Sequence, residues 1–141
     1  MITSDDFLEL VALPRRILFI GGGYISLEFA HVVRAAGAAV TILHCGERIL
    51  KRFDAELVGR LADSARALGI TIVTGITACK AEIGHGAFVT YGTVDGAESF
   101  PSDLIVNASG RIADLDGLRL EAGEVACSVR RALKSHNTLQ D

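Results

Sequence analysis

Three consecutive glycines, Gly21-Gly22-Gly23, constrain the fold of this chain more than any other feature of its sequence. They follow an apolar run from about Arg16 to Ile20, and they precede an amphipathic run from Tyr24 to Ala36. A continuous apolar run of this length is typical of a parallel strand covered on both faces, whereas apolar residues at helical spacing are typical of an amphipathic helix. The pattern therefore predicts a strand, a tight glycine turn and a helix, in that order.

A glycine turn between a strand and a helix is suited to holding a phosphate group. Gly21 permits the tight turn after the strand, and Gly23 has no Cβ, so an anion can approach its backbone. The helix N-terminus, which includes Ile25, offers unpaired N–H groups and the positive end of the helix dipole. The third position of the G-x-G-x-x-G/A pattern is Ser26, which is small but is neither glycine nor alanine. Residues 21–28, the glycine corner, therefore indicate a dinucleotide-binding βαβ unit.

The segments after the glycine corner continue the alternation of strands and helices. Apolar periodicity predicts a second parallel strand, a second helix and a third parallel strand at about Val40–Leu43, Ala55–Leu68 and Ile70–Val73. Asp54 is suited to cap the second helix at its N-terminus, and Gly69 is suited to end it. The residues expected on the core stripes of the two helices are Ile25, Phe29, Val32, Val33 and Ala36 in the first, and Leu57, Leu61, Ala65 and Leu68 in the second.

The pattern then changes from helical to alternating. Three β-like stretches follow one another without a helix between them: Thr77–Glu82, Ala87–Tyr91 and Glu98–Phe100. Gly84-His85-Gly86 and Asp95-Gly96 separate them as turns, which predicts an antiparallel three-stranded meander. Leu104-Ile105-Val106 then predicts a short buried strand that returns to the parallel sheet.

The bulk composition argues against several classes of protein. The 17 acidic and 14 basic residues give a net charge of −3, whereas a nucleic-acid partner would favour a basic surface. No apolar run approaches the roughly 20 residues that span a bilayer, and the N-terminus lacks the basic and apolar regions of a signal peptide. The three cysteines are widely spaced without a C-x-x-C pair, so we expect reduced thiols, no metal site and a cytoplasmic location. No residue is assigned a catalytic role.

Several short stretches occur together in an order that is known from one protein family. They are Thr3–Phe7, Leu13-Pro14, Gly22–Ile25, Leu27-Glu28, Arg48–Leu50, Phe53-Asp54, Asp103–Arg111 and Leu118–Glu121. With the predicted elements, they resemble the NAD(P)-binding domain of the pyridine nucleotide-disulfide oxidoreductases, which include glutathione reductase, dihydrolipoamide dehydrogenase and mercuric reductase. The resemblance implies an α/β, Rossmann-like, three-layer FAD/NAD(P)-binding domain. Its central parallel sheet has helices on one face and a three-stranded antiparallel β-meander on the other.

The resemblance also implies roles for individual residues. Tyr24 resembles the lid that covers the flavin until nicotinamide displaces it, and Glu28 resembles the helix acid near the flavin edge and the nicotinamide amide. Gly110 resembles the glycine against which the nicotinamide end rests, and Arg111 contacts either the cofactor or an FAD domain. The alternatives are an exposed aromatic at Tyr24, a first-turn glutamate that favours the helix dipole, a simple turn at Gly110, and a solvated arginine.

The chain departs from the family pattern where the adenosine ribose is bound. Members that use NAD usually place Glu where His44 stands, and members that use NADP usually place Arg at Cys45 with a second basic residue near Lys51. This chain has neither the acid nor that arginine, but Arg48, Lys51 and Arg52 lie in the following loop. A neutral imidazole does not repel a phosphate and a protonated one attracts it, so the residues slightly favour NADP. The alternative is a strand-end histidine beside an ordinary solvated loop.

The resemblance covers only one part of such an enzyme. The FAD-type glycine motif, the redox cysteine pair and the His-Glu pair of the interface domain are not in this sequence. We therefore interpret residues 1–141 as the NAD(P)-binding domain of a larger flavoprotein, which positions nicotinamide for hydride transfer to FAD and does not turn over alone. Its expected partners are NAD or NADP and the FAD domain of a homodimeric parent. The alternative is a non-catalytic nucleotide-binding or interaction module that has kept the fold.

Overall fold

The computed structural model describes residues 1–83, 87–93, 96–111, 114–115 and 118–123; of these, residues 77–83, 87–93 and 96–97 are described by their backbone. The chain divides into two compact units, Met1–Ser109 and Gly110–Asp141. The elements of the first unit are β1 (Ile2–Thr3), α1 (Ser4–Leu8), β2 (Arg16–Ile20), α2 (Tyr24–Ala35), β3 (Ala39–Leu43), α3 (Ala55–Ala67), β4 (Ile70–Val73), β5 (Thr77–Ile83), β6 (Ala87–Thr93), β7 (Gly96–Ser102) and β8 (Leu104–Asn107). In the second unit a 3₁₀ turn spans Leu120–Gly123.

Five of the strands form one sheet in which every pairing is parallel. The strand order is β1-β8-β2-β3-β4, so β2 lies at the centre of the sheet. Ile17 of β2 pairs with Val40 of β3 on one side and with Leu104 of β8 on the other. Parallel neighbours need a crossover connection, and α2 and α3 supply the crossovers from β2 to β3 and from β3 to β4. The prediction of an α/β, Rossmann-like parallel sheet is confirmed.

Successive residues of β2 face opposite sides of the sheet, as the pleat requires. Ile17 and Phe19 lie on the side that α2 and α3 cover, in the main hydrophobic cluster. The helix residues buried in that cluster are Leu27, Ala30 and Val33 of α2 and Val58, Ala62 and Ala65 of α3. Leu18 belongs to a second cluster with Leu43, Ile76 and Ile105, and Phe100 of β7 packs against that cluster.

The strands β5, β6 and β7 form a separate three-stranded sheet in which both pairings are antiparallel. Val89 of β6 is the register partner of Ala81 in β5 and of Phe100 in β7. The register between β5 and β6 shifts between Ala78 and Lys80. The turn predicted at 84–86 and the first residue of the turn predicted at 95–96 lie outside the described residues.

The predicted helix ends agree with the structure to within one residue. Oδ1 of Asp54 accepts hydrogen bonds of 3.0 Å from the backbone N–H groups of Glu56 and Leu57, which confirms Asp54 as the cap of α3. Gly69 follows the end of α3 with a φ of +87°, a conformation that favours glycine. Among the helices that the structure describes, none is long and apolar enough to cross a membrane.

The core stripes that we predicted for the two helices are displaced from the buried ones. Val33 and Ala65 are buried as predicted. The other predicted stripe residues are half-buried or exposed: Ile25, Phe29, Val32, Ala36, Leu57, Leu61 and Leu68. Both helices carry two adjacent apolar stripes, and helical periodicity alone does not distinguish them. The stripes that face the sheet include Ala30, Ala62 and Ala65, whose small side chains allow each helix to pack close to it.

Charged and backbone hydrogen bonds join the starts of β2 and β8. Nη2 and Nε of Arg16 lie 2.6 and 3.2 Å from Oδ1 of Asp103, and the backbone N–H of Arg16 donates to Oδ2 at 2.9 Å. The N–H of Asp103 donates in return to the carbonyl of Arg16 at 2.9 Å. The side-chain hydrogen bond from Arg16 is the largest of the effects that lower the pKa of Asp103 below its ordinary value of 3.8.

We predict that Asp103→Asn removes a contribution to stability that depends on pH. The folded-state pKa of Asp103 is depressed, so its contribution is fully present above the ordinary pKa of 3.8 and is lost as the pH falls through the folded value. The difference in unfolding free energy between the unmodified chain and Asp103→Asn should therefore shrink as the pH drops below 3.8. Denaturant unfolding at several pH values measures it. Arg16→Gln should give the same trend, and a difference independent of pH would contradict this account.

Candidate functional site

The turn after β2 can be made only by glycine at position 21. Gly21 has a φ of +114°, and a Cβ added there would lie 2.3 Å from the carbonyl oxygen of Ala108 and 2.7 Å from Cα of Ser109. Its N–H donates to the carbonyl of Leu43 at 2.8 Å, so the turn is held against the end of β3. The glycine is required by contact with the chain after β8 as well as by its own conformation.

Gly22 is enclosed by the loop that follows β3. Its N–H donates to Nδ1 of His44 at 3.1 Å, and its carbonyl accepts from the N–H of Leu50 at 2.8 Å. A Cβ at Gly22 would lie 2.7 Å from Cγ of His44 and 2.7 Å from Cγ2 of Ile49. The N–H groups of Gly21 and Gly22 are therefore both used within the chain.

Gly23 differs from its two neighbours because a Cβ added there would meet no atom within 4 Å. It is the N-cap residue of α2 and gives that helix no side-chain cap, and the first turn carries no acidic residue. The first N–H groups of a helix have no partner within the helix. Among the described residues, none offers an acceptor to the N–H groups of Gly23, Tyr24 or Ile25. The open space and these donors together have the chemistry that suits an anion.

The side chains of the glycine corner divide between the core and the surface. Ser26 is completely buried, and its Oγ has no hydrogen-bond partner within the described part of the chain. Tyr24 is 56% exposed, Ile25 is half-buried and Glu28 is exposed. Glu28 is the fifth residue of α2, so the alternative that it acts as a first-turn glutamate is wrong. The corner therefore presents Tyr24 and Glu28 outward and buries the side chain of Ser26 beneath the helix.

His44 is held in place by its backbone and by glycines on both sides of its ring. Its N–H donates to the carbonyl of Val73 at 2.9 Å, and its carbonyl accepts from Ile76 at 3.1 Å. The half-buried ring lies against Gly22 and also against Gly46, where an added Cβ would be 2.8 Å from Nε2. The structure thus brings the residue at the expected ribose position into direct contact with the glycine turn.

The loop after His44 contains the other predicted residues of the adenosine end. Cys45 is an exposed free thiol, and Lys51 is exposed. Nη2 of Arg48 donates to the carbonyl of Lys51 at 2.9 Å, while Nη1 is buried without a partner among the described residues. Leu50 has a φ of +48°, which is rare for a residue with a side chain, at the point where its N–H reaches Gly22. Sequence reasoning assigned no role to Ile49 or Leu50, although both lay in a stretch that resembled the family.

The end of β8 is shaped by a side chain that sequence reasoning also missed. Oδ1 of Asn107 accepts from the N–H of Ser109 at 3.2 Å and from its hydroxyl at 2.7 Å. An Asn two residues before its backbone partner is a known turn signal. This turn sets the backbone that approaches Gly21. Gly110, with a φ of +155°, and Arg111 are exposed and belong to the second unit.

Comparison with known proteins gives one consistent result. The sequence model of a family described as pyridine nucleotide-disulphide oxidoreductase matches residues 1–140. The chain is similar to a glutathione reductase of Burkholderia cepacia, with 37% identity over 95% of this chain. It is also similar to a mercuric reductase of Staphylococcus aureus, with 30% identity over 99% of this chain.

Solved structures show the same likeness. The HOCl-induced flavoprotein disulfide reductase RclA from Escherichia coli matches with a TM-score of 0.83 and 26% identity over 96% of this chain. The chain spans 29% of the glutathione reductase, 26% of the mercuric reductase and 31% of the RclA chain.

We predict that Gly21→Ala lowers the free energy of unfolding by about 3 kcal/mol or more, because both the backbone conformation and the contact with Ala108 resist a Cβ. Gly37→Ala is the matched control. Gly37 has a φ of +96°, but an added Cβ would meet no atom within 4 Å. That variant should lose only about 1–2 kcal/mol from backbone strain. Denaturant unfolding compares the two, and equal losses would contradict the role of the contact.

Proposed function

The chain belongs to the pyridine nucleotide-disulphide oxidoreductase family, and we propose that it is the family's NAD(P)-binding domain, which holds NAD(P)H for hydride transfer to a flavin. Under this proposal the five-stranded sheet with α2 and α3 is the nucleotide-binding half of a three-layer domain. The antiparallel sheet of β5, β6 and β7 is the meander layer on the opposite face. Residues 1–141 would together form this one domain.

The open first turn of α2 is the observation that carries the proposal. Gly21 and Gly22 are crowded by other atoms of the chain, whereas Gly23 leaves open space and unpaired N–H groups at the positive end of the helix dipole. A pyrophosphate is an anion of the right chemistry for such donors. NAD and NADP both carry a pyrophosphate, so the corner fits the cofactor class of the family.

The other assigned residues would act on the nicotinamide and the flavin. When bound, NAD(P)H supplies the hydride and FAD accepts it. Tyr24 would cover the flavin until nicotinamide arrives, and Glu28 would bind near the nicotinamide amide; the exposure of both side chains supports these roles. Gly110 would support the nicotinamide end, and Arg111 would contact the cofactor or the FAD domain.

The FAD domain and the redox centre belong to the rest of a larger flavoprotein in this proposal. The chain spans between 26% and 31% of the length of these relatives, which supports assigning FAD binding and the redox centre to other parts of the same protein. The parent would be a cytoplasmic homodimer. This chain would bind a dinucleotide but would not complete a redox cycle alone.

We propose NADP rather than NAD as the cofactor. The ribose position carries His44 instead of an acid, so no carboxylate repels a 2′-phosphate there. Residues 44–52 include three basic side chains, Arg48, Lys51 and Arg52, against one acidic side chain, Glu47. Cys45 is not assigned a charged contact with the 2′-phosphate in this proposal. An excess of positive charge raises the local concentration of an anionic ligand.

The proposal predicts saturable binding of both dinucleotides to the isolated chain, with NADPH bound more tightly than NADH. Titration calorimetry measures both dissociation constants. If neither NADH nor NADPH saturated the chain at millimolar concentration, the proposed function would be contradicted.

Gly23→Ser separates ligand binding from folding. A serine N-cap accepts from the N–H groups two or three residues on, which are those of Ile25 and Ser26, and it fills the open space. We expect the free energy of unfolding to change by less than about 0.5 kcal/mol, while NADPH binds at least about tenfold more weakly. Gly59→Ser, an equally uncrowded glycine in α3, is the control and should leave the affinity unchanged. Equal affinity in the two variants would contradict the assigned pyrophosphate site.

A further inference from the structure

We infer that His44 links the phosphate-binding turn to the adenosine ribose by presenting a fixed N–H donor, so that this position takes an acceptor oxygen such as that of a 2′-phosphate. The inference rests on the proposed function, because it requires the dinucleotide to lie across the glycine corner. The residue type alone does not determine whether the ring of His44 donates or accepts a hydrogen bond at this position.

The contact with Gly22 determines which nitrogen of the ring carries the proton. A neutral imidazole has one N–H donor and one acceptor nitrogen. The Gly22 N–H can only donate, and it points to Nδ1 of His44 at 3.1 Å, so Nδ1 is the acceptor. The proton of the neutral ring therefore lies on Nε2.

The ring cannot easily turn over, which would exchange Nδ1 with Cδ2 and Nε2 with Cε1. Its Cγ side lies against Gly22, where even a Cβ would approach to 2.7 Å, and its Nε2 side lies against Gly46. The backbone of His44 is tied to β4 and to Ile76 by its own N–H and carbonyl. A flip would also place a carbon at the acceptor position and would leave the part-buried Gly22 N–H without its partner, which is unfavourable.

The Nε2–H group is left as a donor for a ligand. No described residue accepts a hydrogen bond from it, and the residue is half-buried rather than enclosed. A carboxylate at this position would accept from the ribose hydroxyls, whereas Nε2–H donates. A phosphate oxygen and a ribose hydroxyl can both accept from such a donor. The phosphate oxygen is charged and forms the stronger hydrogen bond, so the fixed donor favours the phosphorylated ribose over the free one.

The exposed loop beside the ring supports this polarity. The partnerless, buried Nη1 of Arg48 is a further donor that has no acceptor within the described residues. Lys51, whose carbonyl anchors the other end of the same guanidinium, presents its side chain to solvent. In the loop that follows the ring, donors and positive charge therefore predominate over the single acidic side chain, Glu47.

The first test measures the tautomer on the unmodified chain. Long-range ¹H–¹⁵N correlation spectra of the imidazole, recorded in mildly alkaline buffer, should show an unprotonated Nδ1 and a protonated Nε2 for His44. A protonated Nδ1 would overturn the inference whatever the nucleotide affinities are.

The second test uses probes that report only the adenosine end. Calorimetric titrations with adenosine 2′,5′-bisphosphate and with adenosine 5′-monophosphate should show tighter binding of the bisphosphate. In His44→Asn the amide oxygen can still accept from Gly22, but the Nε2 donor is lost. We expect bisphosphate binding to weaken by about tenfold, as for one lost charged hydrogen bond, with little change for the monophosphate.

The control is His31→Asn. His31 is another half-buried histidine, whose Nδ1 lies 2.7 Å from the carbonyl of Leu27 within α2. It should leave both affinities unchanged. Equal bisphosphate binding by His44→Asn and the unmodified chain would overturn this inference while leaving the proposed function intact. If the unmodified chain bound neither probe and neither NADH nor NADPH, the proposed function would fail, and the inference with it.

Discussion

The close approach of Gly21 to the carbonyl of Ala108 is the contact on which the candidate site depends. At this point the ends of three parallel strands meet, because the N–H of Gly21 bonds to Leu43 and the N–H of Ala108 bonds to Ile20, each at 2.8 Å. No side chain fits between the two backbones. The turn is therefore fixed by the sheet, and the sheet determines where α2 begins.

That fixed turn divides the backbone donors of the corner into two groups. The N–H groups of Gly21 and Gly22 are used by Leu43 and His44 and hold the loop in shape. Those of Gly23 and the first residues of α2 have no acceptor in the described part of the chain, and we propose that they bind a ligand. A preorganised set of donors binds an anion without the cost of ordering the loop at that moment. The same separation explains why Gly23 is open while its two neighbours are crowded.

Local signals predicted those parts of the fold that local chemistry determines. The bounds of β2 and β4 and the cap at Asp54 follow from an apolar run, β-branched residues and a side chain that can reach the next N–H groups. Local signals did not predict the core stripes of α2 and α3, because packing against the sheet determines which of two apolar faces is buried. The bond from Gly22 to His44 spans 22 residues and depends on strand order, so spacing could not predict it. The sequence predicted that Gly22 and His44 both belong to the site, but it could not predict the hydrogen bond between them.

The measurement that tests the central claim most directly is the response of backbone amides to ADP-ribose, which has the pyrophosphate but no nicotinamide. In ¹H–¹⁵N spectra of the chain, the largest shifts and the strongest slowing of hydrogen exchange should occur at Gly23, Tyr24 and Ile25. The amides of Gly21 and Gly22 should change less, since their hydrogen bonds are already made within the chain. Changes centred away from the first turn of α2, or equal changes at all three glycines, would contradict the account.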